Sequence, residues 1–306
     1  MQKYTWREKI LRINKRGSLK RKYNIIGWSF TTISIVAITT LVFYPMVQAF
    51  ILSLMSGAGN NLKFVGINNY KRLLIDASFK TAVTNTLIYL IVQVPIMILI
   101  ALFISVILND KNLKGKAFFR TAIFLPCVTS LVAYSIVFKS LFANDGLMNN
   151  ILLNIHLIAT PINWMTSPFW AKITIIIAIT WRWTGYNMIF YLAGLQNIDP
   201  SIYEAARIDG ASAIRQFFEI TIPLLKPIIL FTTITSTAGT LQLFDEVMNI
   251  TGGGPGNAST TISQYIYNLS FKYTPNFGYA AAVSYFILAM IVILSLIQFK
   301  VAGDSK

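Results

Sequence analysis

Glu204-Ala-Ala-Arg-Ile-Asp-Gly-Ala211, followed after eight residues by Ile220-Thr-Ile-Pro223, is a polar island between two long apolar stretches. Of the 11 acidic residues in the chain, Asp199, Glu204, Asp209 and Glu219 all fall here. Asp199-Pro200 has the form of an N-cap followed by proline at the first helical position. Ser201-x-x-Glu204 has the spacing of a capping box. Asp209-Gly210 breaks the helix, because glycine readily takes the left-handed conformation that ends one. A second helix is expected from about 211 to 221, stopping before Pro223. Helix, tight turn and helix, held at a membrane surface, make a docking knob.

The membrane follows from composition. The 306 residues are 55% hydrophobic and only 12% charged, with a mean hydropathy of +0.60. Soluble domains are nearer about a quarter charged. Apolar runs near the roughly 20 residues that a spanning helix needs occur at about 25–54, 81–108, 121–142, 173–198, 227–244 and 278–299. The expectation is an all-α polytopic membrane protein with six transmembrane helices, the first ending around Tyr44-Pro45. A formal charge of +15 does not signal nucleic acid here, because the basic residues crowd the membrane edges.

Nine Lys/Arg lie in the first 22 residues, from Lys3 to Lys22. Lys111, Lys114, Lys116 and Arg120 follow the second run, Arg207, Arg215 and Lys226 sit between the fourth and fifth, and Lys300 and Lys306 follow the sixth. The opposite side carries Lys63, Lys71, Arg72, Lys80 and Lys272, and none from Phe142 to Ala171. Basic loops stay inside, so both termini and the Glu204 loop are placed in the cytoplasm. The apolar stretch after the basic tail is too long for a signal peptide and lacks a small-residue cleavage site.

The pattern Glu204-Ala205-Ala206, Asp209-Gly210-Ala211, Ile220 and Pro223 resembles the EAA loop of ABC importer permeases, with Ile222 replacing the usual leucine. Phe64-Val-Gly-Ile-Asn-Asn-Tyr70, Leu113-Lys-Gly-Lys-Ala-Phe-Phe-Arg120 with Leu125-Pro126, Ala193-Gly-Leu-Gln196 and Thr251-Gly-Gly-Gly-Pro255 are similar to segments of the carbohydrate-uptake group. The resemblance implies a maltose-type, type I importer permease fold in a prokaryotic cell membrane. It implies a basic tail over 1–24, a six-helix domain over 25–300 with its coupling loop at 199–223, and a short tail over 301–306. It further implies that Glu204, Ala205, Ala206, Asp209, Gly210, Ala211, Ile220 and Pro223 dock into an ATP-hydrolysing subunit. Gly252, Gly253, Gly254 and Pro255 would face an extracellular solute-binding protein. The implied partners are a second, different permease chain, two ATPase subunits that bind the ATP and Mg, and a sugar, with lipid around the helices and no nucleic acid. This chain would carry no cofactor and no metal, and would not itself be an enzyme.

Trp181-Arg182-Trp183-Thr-Gly185-Tyr186-Asn187 sets a cation, aromatics and an amide within an apolar run. An ionisable residue at such depth faces a bundle interior or a cavity. Aromatic faces and amides suit a sugar, whose C–H faces stack and whose hydroxyls need partners. Trp183, Tyr186, Asn187, Thr240 and Gln242 are candidate path residues. Arg182 is a further one, with Asp245 or Glu246 as its possible charge partner. The bland alternative is an aromatic belt with a structurally paired arginine. Threonines 232 to 240 either pack helices closely or line a path. Arg182 would also suit glycerol phosphate or another anionic cargo, and a polysaccharide is open as well. A proton- or sodium-coupled transporter would need a deep carboxylate, for which only Asp245 and Glu246 are available. The single cysteine, Cys127, and single histidine, His156, leave no metal or nucleophile constellation for an intramembrane enzyme and are expected to pack.

Overall fold

A computed structural model describes residues 6–57, 62–110 and 112–303. The side chains of 6–18 and 20 are not among the features described, so the charge distribution of the basic tail, Lys111 and Lys306 lie outside them.

Helices dominate. α1 (Trp6–Ile38) runs through a π turn at Thr39–Phe43 into α2 (Tyr44–Ser53), and Arg21–Ser53 is long and apolar enough to cross a bilayer. The first span therefore does not end at Pro45, which sits in the first turn of α2. A proline cannot donate to the carbonyl four residues back, and the wide π turn absorbs the mismatch. β1 (Met55–Ser56) and β2 (Lys63–Phe64) form a small antiparallel hairpin, then α3 (Asn68–Leu73) leads to α4 (Ala77–Asn109). α5 (Lys116–Val128) and α6 (Leu131–Leu141) meet at a 102° bend. α7 (Leu147–Asn154) is followed by α8 (Pro168–Gln196), α9 (Pro200–Ile208), α10 (Ala213–Gln216), α11 (Ile222–Leu241), α12 (Ile262–Tyr267) and α13 (Phe277–Gly303). Among the described residues four helices are long and apolar enough to cross a membrane, or five with the bent pair counted as one. α8, at 29 residues, is long enough but less apolar, because many of its polar side chains are buried against protein.

α4 and α8 form the centre. Ala82, Thr86, Tyr89, Gln93, Met97, Ala101, Ser105 and Leu108 mark one buried stripe of α4, at the three- and four-residue spacing of one helix face. α11 is fastened to its neighbours through threonines. Thr232 bonds the Tyr191 hydroxyl on α8 at 2.7 Å, Thr240 donates to Gln93 Oε1 on α4 at 3.2 Å, and Thr237 accepts from Gln298 on α13 at 2.7 Å. The outward faces are apolar and uncovered, with Leu41, Phe103, Val128 and Leu296 all more than half exposed, as lipid-facing or partner-facing surfaces are.

At the opposite end of α4 from the knob, Asp76 caps the helix by accepting from the Phe79 N–H. Its Oδ2 also accepts from the hydroxyls of Tyr265 (2.6 Å) and Tyr279 (2.7 Å). Burial pushes this carboxyl up, but the tyrosine and backbone hydrogen bonds outweigh it and hold Asp76 below its usual value of 3.8. His156 is exposed, at a left-handed turn (φ 58°) after α7, and is not packed.

Candidate functional site: an exposed knob and an uncharged pocket

The polar island folds as one unit. Asp199 caps α9 by accepting from the Ser201 N–H at 2.9 Å, so the cap is Asp199 and the capping box expected from Ser201 and Glu204 does not form. α9 ends in a Schellman turn, with the Ala211 N–H bonded to the Ala206 carbonyl at 2.8 Å across Gly210 at φ +78°. Nothing lies within 4 Å of a Cβ built on Gly210, so conformation, not space, selects the glycine. Ser212 then caps α10. The second leg does not stop before Pro223. It passes through a π turn at Phe217–Thr221 into α11, and Ala213–Leu241 forms one span of 29 residues. Proline without an N–H is accommodated by that wide turn.

α9 has no buried residue. Ile208 is 87% exposed and Ile214 73%, apolar side chains standing in the open at the tip of the knob. Glu204 is exposed and its side chain takes no hydrogen bond from the described residues, so it is not spent as a cap. The Tyr203 hydroxyl bonds Thr221 Oγ1, a tie that the motif itself did not announce.

Between α4, α8 and α11 lies a cavity of about 210 Å³. Trp183 and Tyr186, edge to face at 5.6 Å, form one wall, and Thr235, Ser236 and Thr240 another, with Gln93 and Met97 from α4 closing it. Among the described residues no charged side chain lines it. Three of the candidate path residues thus converge: Trp183, Tyr186 and Thr240. Gln93 and Met97 were missed, since an amide and a thioether in an otherwise apolar run give no local signal.

The other candidates lie elsewhere. Asn187 is fully buried behind the wall, donating to the Trp183 carbonyl and Met97 Sδ. Gln242 lines a different cavity with Ser263 and Ser284, beside α12 and α13, because it is two residues beyond Thr240 at the end of α11. Arg182 points to α5, donating to the carbonyls of Cys127 (3.3 Å) and Thr129 (3.4 Å). It makes no direct ion pair with Asp245 or Glu246. Cys127 is half-buried and donates its Sγ–H to the Arg182 carbonyl.

The glycine loop is pinned. Asn85 donates to the carbonyls of Asn257 and Thr260, Tyr89 to that of Ser259, and Ser259 Oγ to that of Gly254. Gly252 (φ +63°) and Gly253 (φ +85°) turn the chain over the end of α4.

Residues 78–302 match the family described as the inner membrane component of binding-protein-dependent transport systems. The chain belongs to that family. This permease is 57% identical over 293 residues to the lactose transport system permease protein LacF of Rhizobium radiobacter, covering 95% of this chain and 98% of that one. It is 34% identical over 284 residues to the arabinooligosaccharides transport system permease protein AraP of Bacillus subtilis, covering 90% and 88%. Its fold is similar to a chain in the crystal structure of a bacterial ABC transporter involved in import of the acidic polysaccharide alginate, with a TM-score of 0.82 at 21% identity, covering 95% and 99%. Apart from the short β1–β2 hairpin the described permease is helical, as expected, with the fold of ABC importer permeases.

Proposed function

We propose that this chain is one of two different permease subunits of an ATP-driven importer for a neutral di- or oligosaccharide. The observation that carries the cargo is the pocket: aromatic faces, hydroxyls and one amide set among the apolar side chains of Met97, Ile179 and Leu243, with no charge. Aromatic rings stack on C–H faces and the amide and hydroxyls exchange hydrogen bonds with sugar hydroxyls. The names of the similar permeases, for lactose and arabinooligosaccharides, agree with it. Arg182, engaged with α5 carbonyls and absent from the pocket lining, is not placed to receive a phosphate or carboxylate, which disfavours glycerol phosphate.

The reading counts α8 and the bent α5–α6 pair as spans, giving six, with both termini and the knob in the cytoplasm of a prokaryote. Two ATPase subunits bind ATP and Mg, and a loaded binding protein docks over the loop at Gly252–Pro255. The knob transmits the work. A partner that grips exposed α9 and moves it also moves α11, because α10 and α11 are one continuous rod and the Tyr203–Thr221 bond ties α9 to its foot. α11 carries one wall of the pocket, so its displacement against α4 and α8 opens the pocket to one side or the other. Such coupling requires different contacts in the two states. A second structure of an alginate transporter, in complex with a pentasaccharide-bound periplasmic protein, is consistent with the partner assigned to the outer loop.

The test is ATP-driven sugar uptake by the reconstituted complex. Glu204→Ala should reduce uptake while leaving the affinity of the binding protein for sugar unchanged; undiminished uptake would remove the docking role of Glu204.

A further inference from the structure

The third span is broken, and Arg182 holds the break. α5 ends at Val128, Thr129 and Ser130 are extended, and α6 leaves at 102°. The last carbonyls of a helix have no intrahelical donors, and unsatisfied carbonyls away from water are costly. Thr129 Oγ1 serves the Pro126 carbonyl at 2.8 Å. Arg182, on α8, supplies Nη2 to Cys127 and Nη1 to Thr129. One turn along the same face, Gly185 lets the α5 backbone lie directly on α8: a Cβ there would run into the Ile123 carbonyl oxygen.

That clamp is only partly engaged. Its two hydrogen bonds, at 3.3 and 3.4 Å, exceed the roughly 2.7–3.2 Å range of good N–H···O geometry. The buried Arg182 Nε and the buried Tyr134 hydroxyl have no partner, although the guanidinium sits 5.4 Å from the Tyr134 ring on α6. Glu246, 4% exposed, directly precedes Val247, which packs with Ile175 and Ile179 of α8, and the same segment sets Ile250 in one cluster with Tyr134 and Phe138 of α6. Yet Glu246 forms no ion pair with Arg182, which is itself 8% exposed. A buried cation with a free donor and a buried acid that is not joined to it are costly unless another arrangement pairs them.

Resting on the importer reading, we propose that Arg182 is a positioning residue with two alternative anchors. In the state seen here it grips the carbonyl end of α5. In the other state of the transport cycle it releases those carbonyls and pairs with Glu246, so that α5 and α6 change their angle against α8. Trp183, the next residue on α8, lines the cargo pocket, so the clamp and the pocket wall move on one helix.

Cys127 is the reporter. It is the only cysteine of the chain and its thiol bonds the Arg182 carbonyl, so its accessibility follows the clamp. The complete importer, reconstituted with its partner chains, is alkylated with and without ATP and vanadate, and modification of Cys127 is read by mass spectrometry of this chain. The wild type should change its Cys127 alkylation rate about threefold or more between the two conditions. Arg182→Gln and Glu246→Gln should each abolish that nucleotide dependence and cut sugar uptake about tenfold, with the double variant no worse than either single one. Rates are compared at equal amounts of assembled complex. Should Arg182→Gln fail to assemble, Glu246→Gln, which leaves the α5 contacts intact, carries the test. Nucleotide-independent alkylation in a wild type that takes up sugar, or wild-type behaviour of Glu246→Gln, would overturn the proposal. A wild type without ATP-dependent uptake would overturn the importer reading itself and this proposal with it.

Discussion

The Tyr203 hydroxyl lies 3.0 Å from Thr221 Oγ1, joining the exposed α9 to the buried foot of the span that lines the pocket. Together with the Gln216 amide, which donates to the Ala211 carbonyl at 2.8 Å, this bond braces α9 against the foot of α11 across the turn at Gly210.

Tyr203→Phe deletes this tie and leaves the ring in place. A typical hydrogen bond contributes about 0.5–1.5 kcal/mol, so the complex should assemble. Sugar transported per ATP hydrolysed should fall about two- to tenfold. An unchanged ratio would show that the tie carries no motion.

Gly210→Ala puts a Cβ at φ +78°, at a cost of roughly 1–2 kcal/mol. Nothing within 4 Å would clash, so the loss should be conformational. Gly210→Asn, which tolerates the left-handed region, should retain more activity than Gly210→Ala. Equal losses in the two variants, measured as retention of ATPase during purification, would point to a contact and not to the turn.

Gly185→Ala is the opposite case. The glycine is helical, and the added methyl meets backbone of α5, which cannot rotate away. The expected destabilisation is about 1–3 kcal/mol, read as a lower unfolding midpoint in detergent. A midpoint equal to the wild type would mean that the α5–α8 contact is looser than described.

Asp76 gives a pH dependence. Its folded value lies below the ordinary 3.8, so the stabilisation is fully present above the unfolded value, near 3.9. It is lost as the pH falls through the lower folded one. Stability should show no Asp76 contribution to pH dependence between pH 5 and 8, and an acid loss below about pH 4. Asp76→Asn should cost about 1–3 kcal/mol at pH 7 and weaken that acid loss in thermal unfolding. An unchanged acid limb in the variant would assign it to other carboxylates.

The parts of this account that were legible in the sequence are those with a local cause. Asp199-Pro200 and Gly210 carry their own cap and turn chemistry, and α9 appears where they set it. Four of the six apolar runs fall in helices long and apolar enough to cross a membrane, and the fixed spacing from Glu204 to Pro223 declares the family. Longer-range relations were not legible. Pro223 and Pro45 read as stops, but each is carried through by a π turn inside a continuing span. Gln242 and Thr240 are two residues apart, yet one faces the α12–α13 cavity and the other the Trp183 pocket, a division made by the end of α11. Arg182 invited a carboxylate partner or an anionic cargo, but its donors go to the open end of α5, which no pattern of side chains marks. Gln93, 147 residues from Thr240 in sequence, enters the pocket only through tertiary packing.

The central claim, that this chain is the membrane part of an ATP-driven machine, is tested most directly by its company. The tagged chain is solubilised gently from its host and the co-purifying proteins are identified by mass spectrometry. The account predicts an ATPase carrying Gly-x-x-x-x-Gly-Lys-Ser/Thr and a second permease with its own Glu-Ala-Ala loop. A chain that purifies alone and moves solute into liposomes without ATP would contradict it.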